Sequence, residues 1–240
     1  MPMGQGMRAR VNDLVLVQGI RDTRTTLAGW NRDPGPVLRA WLLGSLAISV
    51  LLLLAVWMIA AISHPDPTPI LLPGLNEKAT LGSAAHVLLR NSLVLALHAF
   101  ACVAGFIAGS SLPLTATQHT GAWRWIHEKA GPLAIVFVIC ATTFSLCTQA
   151  FALGGAASTL SAQLGMSPGL LVLGLLPHAL PELVALFLPL AAWIIASRRH
   201  EWDQLLAATF VTVAIAAPVL LVSSAVEVYV TPHLLRFLAG

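Results

Sequence analysis

The residues of this chain best placed to do chemistry lie together in Leu176-Pro177-His178-Ala179-Leu180-Pro181-Glu182-Leu183. Two prolines and two ionisable groups interrupt an otherwise apolar stretch. Ionisable side chains inside such a stretch are expensive, and each needs a partner or a watery cavity. His178 and Glu182 are four residues apart, so they share a face if the chain is helical between them. This pattern suits a polar clamp between helices or subunits, and it also suits a binding or proton-handling site. Two metal ligands are also present in it; a third would have to come from His98 or Glu227 elsewhere in the chain. The HExxH arrangement of metalloproteases and the GxSxG nucleophile elbow are both absent. Glu227, Gln149 and His98 are the other polar groups in apolar runs that could join an intramembrane site. Thr142, Thr143, Thr148 and Asn91 read as interhelical hydrogen-bonding or capping groups. Gly105 and Gly109 form a GxxxG pair, the spacing that lets helices approach closely within or between subunits, and self-association through this segment is expected. No cofactor or metal is predicted. Cys102, Cys140 and Cys147 lie in apolar runs without CxxC spacing and read as reduced packing residues.

The elements that must hold these groups follow from composition. Of 240 residues 57% are hydrophobic and 10% charged, against roughly a quarter charged in soluble domains. A surface so poor in charge belongs in lipid. The net charge of +3, with no basic patch interleaved with aromatics, excludes nucleic acid as a partner. A helix needs about 20 apolar residues to cross a bilayer. Five runs qualify: residues 40–63, 91–112 (continued backwards in helical form from Thr80), 132–155, 168–197 and 205–229. The predicted fold is all-α, a polytopic transmembrane bundle of about five spans whose fourth is broken by proline. Pro177 and Pro181 are expected to part it into a short half-helix, about 168–176, and a full span from Pro181, although one kinked span serves as well.

Residues 1–39 form an N-terminal tail and 40–240 a single transmembrane domain. Within the tail, Leu14, Val15, Val17, Ile20, Leu27 and Trp30 alternate with arginines over 11–30, as in an amphipathic helix on the membrane face; a solvated tail fits as well. The first apolar run is longer than a signal core and reads as a retained anchor. Pro65, Pro67, Pro69 and Pro73 make the segment 64–75 an extended connector. Trp123 and Trp125 read as interfacial anchors. Under five spans, Arg8, Arg10, Arg21, Arg24, Arg32, Arg39, Arg124, Lys129, Arg198 and Arg199 fall on one side, and only Lys78, Arg90 and Arg236 on the other. The positive-inside rule then puts the N-terminus in the cytoplasm and the C-terminus outside.

Three segments resemble the stage II sporulation protein M (SpoIIM) family. Residues 177–185, from Pro177-His178-Ala179 through Glu182 to Ala185, resemble its proline–histidine–glycine, glutamate, alanine signature. Residues 225–232, with Glu227 and Thr231-Pro232, resemble its closing segment. Residues 149–154, from Gln149 to Gly154, are similar to its asparagine–glycine segment. Ala179 stands where the family has glycine, and Gln149-Ala150 where it has asparagine and glycine, which marks a divergent member. The likeness covers roughly residues 85–235. It implies five helices and a multi-pass protein of the bacterial cytoplasmic (inner) membrane. It further implies a non-catalytic scaffold that recruits or anchors envelope partners, cell-wall (peptidoglycan) hydrolases among them. The alternative reading is a transporter or channel component with His178 and Glu182 facing a cavity. An intramembrane metal hydrolase is a third.

Overall fold

The computed structural model describes residues 15–111 and 121–240, apart from the side chains of 15–18, 110, 111, 122–131 and 134. Among the described residues the chain is helical apart from short connections and the longer connector 63–80, and forms no strand. The elements are α1 Val15–Trp30, α2 Gly35–Ile62, α3 Leu81–Phe106, α4 Gly121–Gln163, α5 Pro168–Arg199, α6 Leu205–Ala225 and α7 Thr231–Ala239. A π-turn, Ile107–Ser111, ends α3, and a second, Val226–Val230, joins α6 to α7. Five stretches are long and apolar enough to span a bilayer: Gly35–Ile62, Leu81–Gly109, Ile135–Gln163, Pro168–Arg199 and Trp202–Ala239. The five expected spans are all present, and the chain is a multi-pass membrane protein.

Local chemistry sets the helix limits. Thr80 caps α3, its side-chain oxygen accepting the Ser83 N–H at 3.0 Å. Ser167 does the same for α5 through Leu170, with Pro168 in the first turn, where a missing N–H costs nothing. His200 closes α5 in the left-handed conformation. Gly165, also at positive φ, lies in the turn after α4. That helix continues through Gly154 and Gly155 to Gln163, so the uncharged loop expected over 155–167 shrinks to a turn at 164–167.

The proline-bearing fourth span does not part into a half-helix and a span. It runs unbroken for 32 residues through Pro177, Pro181 and Pro189. Each proline removes the bond its N–H would give to the carbonyl four residues back. Neighbouring helices supply polar hydrogens to this stretch. The Ser45 hydroxyl donates to the Val184 carbonyl, and Cys102 Sγ donates to the Pro189 carbonyl at 3.1 Å. These bonds tie α5 to α2 and α3, while the carbonyls that the prolines free are those of Leu173, Pro177 and Ala185. The central place of α5 follows from its burial: its second half, Leu183–Leu190, is covered almost completely by α2, α3 and α6.

The N-terminal segment forms α1 from Val15, and the helix docks on the bundle instead of lying apart from it. Gly19 sits so close to Leu206 and Phe106 that a Cβ there would collide with both. Trp30 meets Trp41 edge to face at 5.1 Å between ring centroids. Residues 11–14 of the expected amphipathic segment lie outside the described residues.

The bundle has two distinct ends. At one, the Asp66 N–H donates to Thr159 Oγ1 at 3.0 Å and the Ser158 hydroxyl to the Ser63 carbonyl at 2.9 Å. These bonds tie the connector 63–80 to the end of α4. The Asp66 carboxylate accepts from Thr68 N–H at 2.7 Å, which holds it below the usual aspartate range. At the opposite end gather α1, the turn before α6 and the π-turn after α3, where Gly109 abuts the Trp202 ring. Arg21, Arg24, Arg32, Arg39, Arg198 and Arg199 belong to this second end; Lys78 and Arg236 belong to the first.

Candidate functional site

The GxxxG pair of the second span is committed within the chain. A Cβ at Gly105 would overlap the Trp193 indole and Leu205, and one at Gly109 would overlap the Trp202 ring. Both glycines therefore exist to seat tryptophans from α5 and from the turn before α6. Of the two uses expected for this spacing, close packing within the chain is the one seen here.

His98 is buried, with its ring edge to face on Phe187 at 5.4 Å and its Nδ1 without a hydrogen-bond partner among the described residues. Gln149 lies on α4 and donates to Ser145 Oγ at 3.1 Å. Neither lines the cavity that holds the remaining candidates, so the predicted polar cluster divides. His178, Glu182 and Glu227 come together; His98 and Gln149 stand apart.

That cavity encloses about 400 Å³, within the range of small-molecule sites. Its walls come from α2 (Leu52, Leu53, Val56), α3 (Val87, Arg90, Asn91), α4 (Leu153, Ala157, Leu160) and α5 (Leu171, Leu175, His178, Ala179, Glu182). The connector adds Ile70, Leu72 and Leu75, and the end of the fifth span adds Glu227, Val228, Thr231 and Leu235. Most of this surface is apolar.

Three local features position the polar groups. First, α5 stays helical across Pro177 and Pro181, so His178 and Glu182 stack one turn apart on one face. Second, the π-turn Val226–Val230 inserts before Thr231-Pro232. Pro232 has no N–H to return to the Val228 carbonyl, and this carbonyl faces Gly74, where a Cβ would strike it. Gly74 also holds φ +82°, which suits glycine. Third, Thr231 Oγ1 pairs with His178 Nδ1 at 2.8 Å, fixing the imidazole between α5 and α7.

Glu182 turns toward Glu227, Arg90 and Asn91, the charged and polar groups whose field it feels. Its Oε2 is buried without a hydrogen-bond partner among the described residues. No ion pair closer than 4.0 Å joins Arg90 to either carboxyl among the described residues. The cavity thus carries two carboxyls and one guanidinium in apolar surroundings, with one carboxyl oxygen unmet. Buried polar atoms are normally satisfied; Oε2 itself is sealed from the cavity, although Glu182 lines it. Among the described residues no three His, Cys, Asp or Glu side chains converge as metal ligands.

The connector forms one wall of the cavity and is latched over it. Arg236 on α7 donates to the Gly74 carbonyl and, at 3.0 Å, to the Leu75 carbonyl. Asn76 braces the same turn, accepting from Leu72 N–H at 2.6 Å and donating to the Ile70 carbonyl at 2.8 Å. Sequence reasoning treated Arg90 only as a charge to be assigned to a side and Arg236 likewise. The available signal for Arg90 was its position: one cation ten residues past the Thr80 cap, well inside a helix that goes on to span the membrane.

Fold and site define a polytopic helical membrane protein with a largely apolar cavity, bearing two carboxyls and a guanidinium, built into its helical bundle. Residues 130–232 match the family model described as Stage II sporulation protein M (SpoIIM), so this stretch is similar to that family. The match includes His178, Glu182, Glu227 and Thr231; Arg90, Asn91 and the first two spans lie before it. No curated protein and no solved structure matches the chain.

Proposed function

We propose that the protein is a non-catalytic, membrane-embedded binding component, of the transporter or channel type, whose cargo occupies the cavity at His178 and Glu182. The observation that carries this reading is that Glu182, Glu227 and Arg90 line one cavity of about 400 Å³ with, among the described residues, no ion pair closer than 4.0 Å between Arg90 and either carboxyl. A polar clamp would have closed these groups on one another; here they border a cavity. The connector held by Arg236 then acts as the cover on the side of the bundle where α7 ends. The membrane is the bacterial cytoplasmic membrane, a setting supported by the family match. The N-terminus is cytoplasmic and the C-terminus external, supported by the crowding of arginines at the end of the bundle that holds α1.

The test is to purify the protein from its native membranes in mild detergent, denature it, and identify released small molecules by mass spectrometry. Wild-type protein should release a molecule that Glu182→Gln does not, with both running at the same size. A wild-type protein that releases nothing would refute the reading.

The family match favours a second reading, a scaffold that anchors envelope proteins such as cell-wall hydrolases. Reproducible co-purification of such a protein, undiminished by Glu182→Gln, would favour it.

A further inference from the structure

Resting on the binding reading above, we infer that the ligand of this cavity is an amphiphile with a single apolar chain and a primary ammonium head, the head held between Glu182 and Glu227. The charged groups facing that point are Glu182, Glu227 and Arg90, with the His178 imidazole one turn away. Two carboxyls against one guanidinium leave one negative charge uncompensated when all are ionised. A buried charge in this setting needs a counter-charge. An ammonium brings that charge together with three hydrogen-bond donors, enough to reach both the Glu182 and the Glu227 carboxyl groups that line the cavity. An anionic head would face two carboxyls with only Arg90 in its favour. A hydroxyl head would bring one donor and no charge.

The chain is required by the rest of the cavity. From Leu171 to Glu182 the α5 wall runs eleven residues, about 16 Å along a helix. Away from the carboxyl end, and apart from the His178 and Thr231 pair, the cavity is lined by leucine, valine, isoleucine, alanine and proline. A bare metal ion or small amine would leave this apolar length filled with water or empty, whereas an alkyl chain covers it. The His178 ring is already engaged at Nδ1 by Thr231, so the free polarity is concentrated at the carboxyl end, as an amphiphile's head and tail demand. A primary ammonium on an apolar chain occurs both in simple alkylamines and in ethanolamine lipids, and the two differ in carrying a phosphate.

The experiment uses full-length protein in phosphatidylcholine nanodiscs at pH 7, with thermal unfolding as the readout of binding. Dodecylamine, dodecanol, dodecanoate and lysophosphatidylethanolamine are titrated separately. Dodecylamine is expected to raise the unfolding midpoint at concentrations at least ten-fold lower than dodecanol or dodecanoate. Glu182→Gln should erase this preference, and Ala179→Leu, which fills the cavity and keeps every charge, should abolish the response to all four. If lysophosphatidylethanolamine is as potent as dodecylamine, Arg90 accepts the phosphate and the ligand is an aminolipid; if only dodecylamine acts, it is a simple amine. Equal or greater potency of dodecanol or dodecanoate, lost in Ala179→Leu, overturns the ammonium assignment while leaving a ligand-binding cavity. No response to any of the four in wild-type protein, with Ala179→Leu indistinguishable from it, overturns the binding reading itself.

Discussion

Helices α4 and α5 are almost equally apolar, with mean hydropathies of 1.9 and 2.0 in their spanning windows, yet 6% of the first window is buried and 56% of the second. Hydropathy reports that a segment can sit in a bilayer. It does not report whether the segment's neighbours are lipid or protein, because lipid tails are as apolar as leucine. What separates the two helices is the placement of small and polar residues. The second half of α5 threads Ala185, Ala191, Ala192 and Ala196 between larger side chains and is approached by Ser45 and Cys102 from its neighbours. By contrast α4 turns Phe137, Phe144 and Phe151 outward, at 72%, 74% and 69% exposure, and touches the bundle mainly through its last third. There Gly154 lies against Ile59 and Val56 of α2. The helix that carries the polar site is the axis of the protein, and the helix that carries the longest apolar face is its margin.

This contrast predicts an ordered series of effects. The largest belongs to Glu182→Lys on α5, which sets a long cation near Arg90 in an apolar wall. Loss of about 3 kcal/mol of stability is expected, read as reduced folded yield and a lower unfolding midpoint in detergent; a variant as stable as wild type would show that Glu182 is not confined. Next comes Gly105→Leu, which drives a side chain into Trp193. A cost of about 2 kcal/mol is expected, with unchanged particle size by size-exclusion chromatography. A smaller particle in place of an unstable one would mean that the glycines hold subunits together. Removing the latch with Arg236→Ala should cost about 1 kcal/mol and speed hydrogen exchange at 72–77 while sparing α5. Exchange that is unchanged there would detach Arg236 from the cover. The smallest effect is expected on α4: Phe144→Leu should shift stability by less than about 0.5 kcal/mol. A large loss would mean that another protein, and not lipid, covers this face.

Much of the fold was legible from apolar run length and from the Lys and Arg positions, since both reflect the bilayer directly. The five spans and their common ends follow from those features. The helical state of α5 across Pro177 and Pro181 was not legible, because it depends on how neighbouring helices pack around it, and the Ser45 that bonds Val184 is 139 residues away. The candidate site was legible in part. His178, Glu182 and Glu227 announce themselves as charges in apolar sequence. Gln149 and His98 carry the same signal but point to Ser145 and Phe187, because the helical rotation and tilt that aim a side chain are set by packing. Arg90 escaped for the opposite reason: near the end of an apolar run, a cation that lines a cavity looks like one that faces headgroups.

The central claim is that water and small molecules reach the cavity beside Glu182. It is tested most directly by the reactivity of Ala179→Cys toward a water-soluble, membrane-impermeant thiol reagent in intact proteoliposomes, with Cys140 and Cys147 replaced by alanine and buried Cys102 retained. The account predicts that this cysteine is modified from the α7 side, faster once Arg236→Ala loosens the cover, while a cysteine at the outward-facing Phe144 is not modified. A position 179 thiol as inert as the one at 144, with the cover latched or loosened, would contradict it.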